Sequence, residues 1–246
     1  MNRTAVVVPL IVVALLGACK KREPEPAPAA ETPVAAAPAA ATATPPAEQT
    51  AEQQELARKQ ALLAFATKED KFINDPRAQW AADAKASSVF GDKDKSVSDS
   101  NKPQSAVGPA DGRDWTNDNI DKGFDWLETT YANPVNATEV RVVLTGGQGV
   151  EAINKVELQD ADAKWHTVWE GLSDVKKEEN GNRTWFVRTF DKTAYKARVV
   201  KVTFANNLQR DYKTVDAVQL VGDQSLLVNH YIAGLRVRAG GAGPAR

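Results

Sequence analysis

Residues 137–145 read ATEVRVVLT, and residues 197–204 read ARVVKVTF. In both stretches apolar and polar side chains come close to alternating. This period is typical of a strand with one face on an apolar core and the other in water. The two stretches therefore predict strands of a half-buried antiparallel sheet.

Further short strands bounded by turn residues surround these two. We expect them at residues 125–130, 154–158, 165–169, 183–190 and 215–221, and the run Asp160 to Lys164 is typical of a hairpin turn. No helical pattern lies between them. The spacing predicts an all-β fold, a jelly-roll β-sandwich of about eight strands over residues 79–223, long enough for one domain with a real core.

The segment before the strands, residues 51–78, has a helical pattern. Large apolar residues stand among Glu, Gln and Lys over residues 51–74, and Pro76 ends the pattern; they include Leu56, Leu62, Leu63, Phe65 and Phe72. We expect one helix that packs on the following domain. A coiled-coil or partner-docking helix is the alternative, although no strict heptad is sustained.

Residues 19–50 have the composition of a linker. Ala, Pro, Thr and Glu dominate from residue 23 onward, no aromatic residue occurs there, and seven prolines favour an extended path. We expect a disordered tether. Recognition of the prolines by a partner's aromatic groove is the alternative.

The N-terminus, residues 1–18, predicts export. Arg3 precedes an apolar run that is too short to span a membrane, and the run ends in Leu16, Gly17 and Ala18 before Cys19. These four residues resemble the lipobox of bacterial lipoproteins. The resemblance implies cleavage before Cys19, acylation of that residue with palmitate among the chains, and, with Lys20 rather than Asp next, an envelope location at the outer membrane.

The domain itself resembles the discoidin-like, coagulation factor 5/8 type C group of galactose-binding-like jelly rolls. The resemblance rests on many short matches: Trp80, 86–88, 106–112, 125–128, 134–142, 155–158, 165–169 and 215–222. It implies a non-catalytic recognition domain whose relatives bind sugars, phospholipid head groups or proteins.

Many members of this group hold a structural calcium ion. The resemblance places it at Asp111, Asp114 and Thr116, with Asp216 from the last strand, because calcium takes hard oxygen ligands. The alternative is a hydrogen-bonded turn in which the aspartates bind backbone amides.

Sugar binding needs an exposed aromatic plane with polar groups beside it. Trp115 is the tryptophan set among turn residues, so we expect it to stack on a sugar, with Arg113 and Asn117 as polar partners. The remaining tryptophans of the predicted strands are expected in the core: Trp126, Trp165, Trp169 and Trp185.

Catalysis and nucleic-acid binding are not expected. His166 and His230 lie far apart, and no nucleophile elbow or His-Glu-x-x-His motif occurs. The net charge is −1, with 31 basic and 32 acidic residues, and nucleic-acid binding asks for a basic face. Residues 224–246 form an apolar and basic extension, expected either to cover a sheet edge or to contact a partner or a membrane surface.

Two functions follow from the sequence. The first is an envelope lipoprotein, not an enzyme, whose jelly roll binds a glycan. The second is a lipoprotein that docks another envelope protein as part of an assembly.

Overall fold

The computed structural model describes residues 50–223. Helix α1 spans Ala51–Ile73, and Thr50 caps it: the Thr50 hydroxyl accepts the amide of Gln53, whose side chain accepts the amide of Thr50. The helix ends at Asn74, close to the predicted end. The first strand already begins at Ala78, inside the segment predicted to be helical.

Within residues 50–223, nine strands follow the helix. Their bounds are β1 Ala78–Trp80, β2 Asp83–Ala86, β3 Trp115–Thr116, β4 Phe124–Thr145, β5 Ile153–Gln159, β6 Trp165–Glu170, β7 Arg183–Thr189, β8 Ala197–Ala205 and β9 Thr214–Asp223. The all-β fold with one preceding helix is confirmed. Each predicted stretch lies within a strand to within one residue, although 125–130 and 137–145 belong to the single strand β4. Strands β1, β2 and β3 were not predicted, because runs of two to four residues are too short to display a period.

The strands pair antiparallel in two sheets that share β4. The first sheet has the order β7, later half of β4, β9. Strands β1 and β3 pair with β9 at different points along its length. The second sheet has the order β2, early half of β4, β8, β5, β6. The register along β4 shifts between Thr130 and Val135, where the chain passes from one sheet to the other. One strand therefore joins both layers of the sandwich.

The apolar core lies between the two sheets. Val140, Val142 and Leu144 point into it from the first sheet, and Val200 and Val202 point into it from the second. The alternation seen in the sequence thus places alternate side chains inside, as the period of two requires. The intervening residues form the two outer faces.

Helix α1 packs on the outer face of the first sheet. The Phe72 ring lies 4.9 Å from the Trp185 ring, and the Phe72 carbonyl accepts hydrogen bonds from Arg141 and Gln219. A Cβ at Gly181 would lie 2.2 Å from the Phe65 ring, so the small residue permits this close approach. The predicted packing of the helix on its own domain is observed for this half of α1.

Several sequence-based expectations lie outside residues 50–223. They concern the signal peptide, Cys19, the tether and the extension 224–246. Within the described residues, no helix combines the length and the apolar character needed to span a bilayer.

Candidate functional site

Trp115 does not offer a stacking plane, so this prediction was wrong. The side chain is fully buried, its Nε1 donates to the Ser88 carbonyl at 2.9 Å, and its ring lies 5.8 Å from that of Phe204. The turn residues around it suggested exposure, but Trp115 pairs with Val215 in β3 and so joins the sandwich core. A tryptophan in that position fills the core at the loop end.

Asn117 is likewise buried and belongs to a polar network, not to a ligand site. Its side-chain nitrogen donates to Asp125 at 2.8 Å, and its side-chain oxygen accepts the Lys213 amide at 2.8 Å. The Asp125 carboxylate also accepts Ser87, Ser88 and Asn206. Burial raises the pKa of Asp125, but these hydrogen bonds more than offset burial and hold it below its ordinary value.

Arg113 is exposed, and its guanidinium is paired with the neighbouring Asp111. Because Trp115 and Asn117 are buried, the three residues predicted to hold a sugar do not form a common surface. The loop at Asp111 to Asn117 is therefore not the site that the sequence suggested.

Asp111, Asp114 and Asp216 do come close to one another. Asp216 lies at a bulge of β9, where Val143 pairs with Ala217 and Leu144 with Val215, so its side chain reaches the loop. Its carboxylate accepts the amides of Asp111 and Gly112 at 2.9 and 3.2 Å. This is the hydrogen-bonded turn that stood as the alternative to calcium.

The residues as placed do not fit a calcium ion. Arg183 Nε lies 3.3 Å from the Asp216 carboxylate, and Asp114 accepts the Thr145 hydroxyl at 2.7 Å. Thr116 pairs with Thr214 in β3, and in residues 50–223 no three acidic, Cys or His side chains are arranged as a metal-ligand group. The Arg183 guanidinium thus occupies the place beside Asp216 where a calcium ion would bind. We derive no role for calcium.

The tryptophans divide into two groups. Four belong to the apolar clusters of the domain: Trp80, Trp115, Trp169 and Trp185. Trp126 and Trp165 belong to neither cluster, and both are half-buried on the outer face of the second sheet. The expectation that these two lie in the core was wrong, whereas it holds for Trp169 and Trp185.

We call this surface the open face; it comprises the outward side chains of the second sheet. Lys201 stands at its centre, and its Nζ lies 5.1 Å from the ring centroids of both Trp126 and Trp165. The two rings are thus separated by no more than twice that distance. Phe124, which is 65% exposed, precedes Trp126 by two residues and so points to the same side.

A cleft of about 480 Å³ continues the open face. Its floor consists of Thr130, Val199 and Gln159, and Gln159 lies opposite Trp165 in the sheet register. Its walls come from the β4 bend, the β5–β6 hairpin and the start of β8: Pro134, Asp160, Ala161, Ala163, Lys196 and Arg198. The volume is within the range of small-molecule sites.

Ion pairs cover only some of the charges on this surface. Lys85 pairs with Glu128 at 2.7 Å, and Lys155 pairs with Glu157 at 3.2 Å. Asp160 contacts His166 at 2.7 Å, and this contact together with amide hydrogen bonds lowers the pKa of Asp160. Three carboxylates of this surface, those of Glu128, Glu157 and Asp160, are therefore already partnered.

Comparisons with known proteins give structural neighbours only. No protein-family model matches the sequence. A search of the curated proteins also returns no match.

The solved structures that resemble this chain include an F5/8 type C domain and carbohydrate-binding modules. An F5/8 type C domain from Bacteroides fragilis has a TM-score of 0.47 and 13% identity, covering 61% of this chain and 99% of its own. Chitosan-binding module 1 of a chitosanase/glucanase from Paenibacillus sp. IK-5 has a TM-score of 0.41 and 14% identity, with coverages of 57% and 94%.

A third neighbour is CpGH89CBM32-5 from Clostridium perfringens, in complex with GalNAc-β-1,3-galactose. Its TM-score is 0.42 at 12% identity, covering 61% of this chain and 99% of its own. At such scores and identities, nothing about the ligand of this chain follows from the likeness.

Proposed function

We propose that this chain is a non-catalytic glycan-binding protein and that the open face of its second sheet is the binding surface. One observation carries the proposal: the two tryptophans left out of both apolar clusters lie together on this face, on either side of Lys201. Large aromatic side chains that a domain leaves partly in water mark interaction sites.

The chemistry of the face suits a sugar. An indole ring offers an apolar plane to the C–H side of a pyranose, while polar groups nearby bind the hydroxyls. Thr203 lies opposite Trp126 in the register, and Gln159 lies opposite Trp165. Each aromatic ring therefore has a polar side chain beside it.

The open face is also available to a ligand. The contacts of α1 with the strands go to the first sheet, through Phe72 and through Glu69, which accepts Trp185 Nε1 at 3.1 Å. In the second sheet, strands β4, β8, β5 and β6 all carry partly exposed side chains. The two outer faces thus differ: one supports the helix, and no helix or strand of residues 50–223 covers the other.

A glycan array with the full chain tests the proposal, followed by titration of the best glycan. We expect saturable binding that weakens at least about tenfold in Trp126→Ala and in Trp165→Ala, because each removes a stacking plane. Leu63→Ala is the matched control: it removes a side chain that is 68% exposed on α1, away from the open face.

Two results would count against this assignment. One is unchanged binding in both tryptophan variants, and the other is an equal loss in Leu63→Ala. Thermal melts show whether each variant is folded, and Trp126→Tyr, which keeps an aromatic ring, is expected to retain most of the affinity.

We further propose that the protein is an exported lipoprotein of the cell envelope, held to the outer membrane through lipidated Cys19. The support is the apolar run and the residues Leu16 to Cys19 in the sequence. Metabolic labelling with palmitate tests this: Cys19→Ala should lose the label and leave the membrane fraction. Label retained in Cys19→Ala would contradict lipidation at that residue.

A further inference from the structure

We infer that the glycan bound by the open face is acidic, that is, a polymer bearing carboxylates such as a polyuronate. This inference rests on the proposed function, because it names the chemical class of the ligand for the same surface. It comes from the charges that the protein leaves without partners around the cleft.

Three cations that lie near the cleft or the aromatic rings form no ion pair with the described part of the chain. Lys196 and Arg198 line the cleft and are exposed, and Lys201 lies between the two tryptophans. Arg198 Nε donates to the Tyr131 carbonyl at 3.0 Å, which holds its guanidinium at the rim. Within residues 50–223, none of the three forms an ion pair with Asp or Glu.

Lys201 has two carboxylates nearby and still forms no ion pair with any residue that the structure describes. Lys201 lies directly between Glu128 and Glu157 in the sheet register. Those carboxylates are paired instead with Lys85 and Lys155, at 2.7 and 3.2 Å. The ammonium of Lys201 is therefore left over the indole rings, where it can approach an anion bound beside them.

The spatial order of these groups matches an acidic sugar polymer. Aromatic planes that contact pyranose rings lie next to cations that contact carboxylates, and the cleft at Thr130, Val199 and Gln159 continues the surface. An arginine at the rim is suited to a carboxylate, since its fork of donors matches the two oxygens. An acidic protein is the alternative ligand. It would use the cations, but it would not require the indole rings and the polar cleft beside them.

A matched pair of polymers tests the inference: polygalacturonate and the same polymer with its carboxyl groups reduced to alcohols. We expect the full chain to bind polygalacturonate at least about tenfold more tightly, with an affinity that falls as salt rises. The double variant Lys196→Ala/Arg198→Ala should lose most of that preference. The control is Arg58→Ala/Lys59→Ala, which removes the same charge from exposed positions of α1 and should bind as the wild type does.

The outcomes separate the two proposals. Equal binding of both polymers, lost in Trp126→Ala but not in the double variant, would overturn the acidic ligand and leave glycan binding in place. An equal loss in the α1 control would also overturn it, since net charge alone would then explain the effect. Binding of neither polymer would overturn the acidic glycan. An acidic protein retained by the wild type but not by the double variant would then favour protein docking.

Discussion

At the scale of single residues, the Lys213 side chain is held in place by burial and by several hydrogen bonds. It is fully buried, and its Nζ contacts the carbonyl oxygens of Ile120, Gln209 and Asp211 at 2.9, 3.0 and 2.6 Å. Burial lowers the pKa of Lys213 to about 8. One ammonium therefore joins the loop before β4 to the loop before β9.

We predict that Lys213→Met destabilises the domain by about 3 kcal/mol, because several buried carbonyls lose a charged donor together. Urea unfolding of the full chain measures this free energy. The control is Lys122→Met, an exposed lysine in one of the same loops. Similar unfolding midpoints for the two variants would show that the Lys213 contacts do not stabilise the fold.

At the scale of elements, the end of α1 is held to the first sheet by an ion pair. Arg141, a buried residue of β4, donates to Asp75 just after the helix at 2.8 Å and also contacts Glu139. Burial raises the pKa of Asp75, but hydrogen bonds from Arg77 and Arg141 lower it from 3.8 to about 2. The ionised carboxylate is therefore favoured when the helix is in place.

This ion pair predicts a defined pH dependence. Because the folded pKa lies below the ordinary value, the unfolded chain takes up the proton first, and the free energy of unfolding falls as pH falls from 3.8 to about 2. We expect a shallower fall over that window in Asp75→Asn and an unchanged slope in the exposed control Asp83→Asn. Urea titrations at several pH values measure the slope, and identical slopes for wild type and Asp75→Asn would refute this linkage.

At the scale of the whole molecule, the two outer faces of the sandwich carry different side chains and different neighbours. The first is covered by the helix and carries the smaller apolar cluster around Trp185. The second carries charged and aromatic side chains around Lys201. This asymmetry predicts that ligand binding and helix docking are independent of each other, since they use opposite faces.

The contact between Arg183 and Asp216 leads to a prediction about calcium. Because Arg183 already lies 3.3 Å from the Asp216 carboxylate, we expect no ion to be needed there. Thermal melts of the full chain should agree within about 1 °C between added calcium and added chelator, since a specific ion would raise the melting temperature. Asp216→Asn should lower the melting temperature in both buffers alike. A rise with calcium that Asp216→Asn abolishes would instead establish the ion that the sequence resemblance implied.

Much of the fold could be predicted from the sequence, because the alternation of apolar and polar residues along a strand shows which side chains share a face. The stretches at 137–145 and 197–204 predicted β4 and β8, and the Asp160 turn is observed, with its carboxylate accepting the amides of Asp162 and Lys164. The candidate site was predicted less well. Trp126 shares a face with Glu128, and this was the signal in the sequence that could have placed it in water.

Trp165 shows why such a signal is incomplete. Trp165 and Trp169 have the same parity in β6, yet a register shift pairs Val156 with Trp169 and Glu157 with Thr167. The bulge turns Trp169 toward the core while Trp165 remains on the open face. Bulges depend on the partner strand, so parity within one strand does not reveal them.

The sequence by itself thus determined the helix, the longer strands and the sandwich, because these depend on local periodicity and turn residues. Only the tertiary structure decided that Trp115 is covered and that α1 occupies one outer face. It also decided that Lys196 and Arg198 line one cleft and that Lys201 lies between two tryptophans. The physical reason is the long separation in sequence between the residues involved. The exposure of a side chain and the partners of a charge depend on segments far away in the chain, which no local pattern contains.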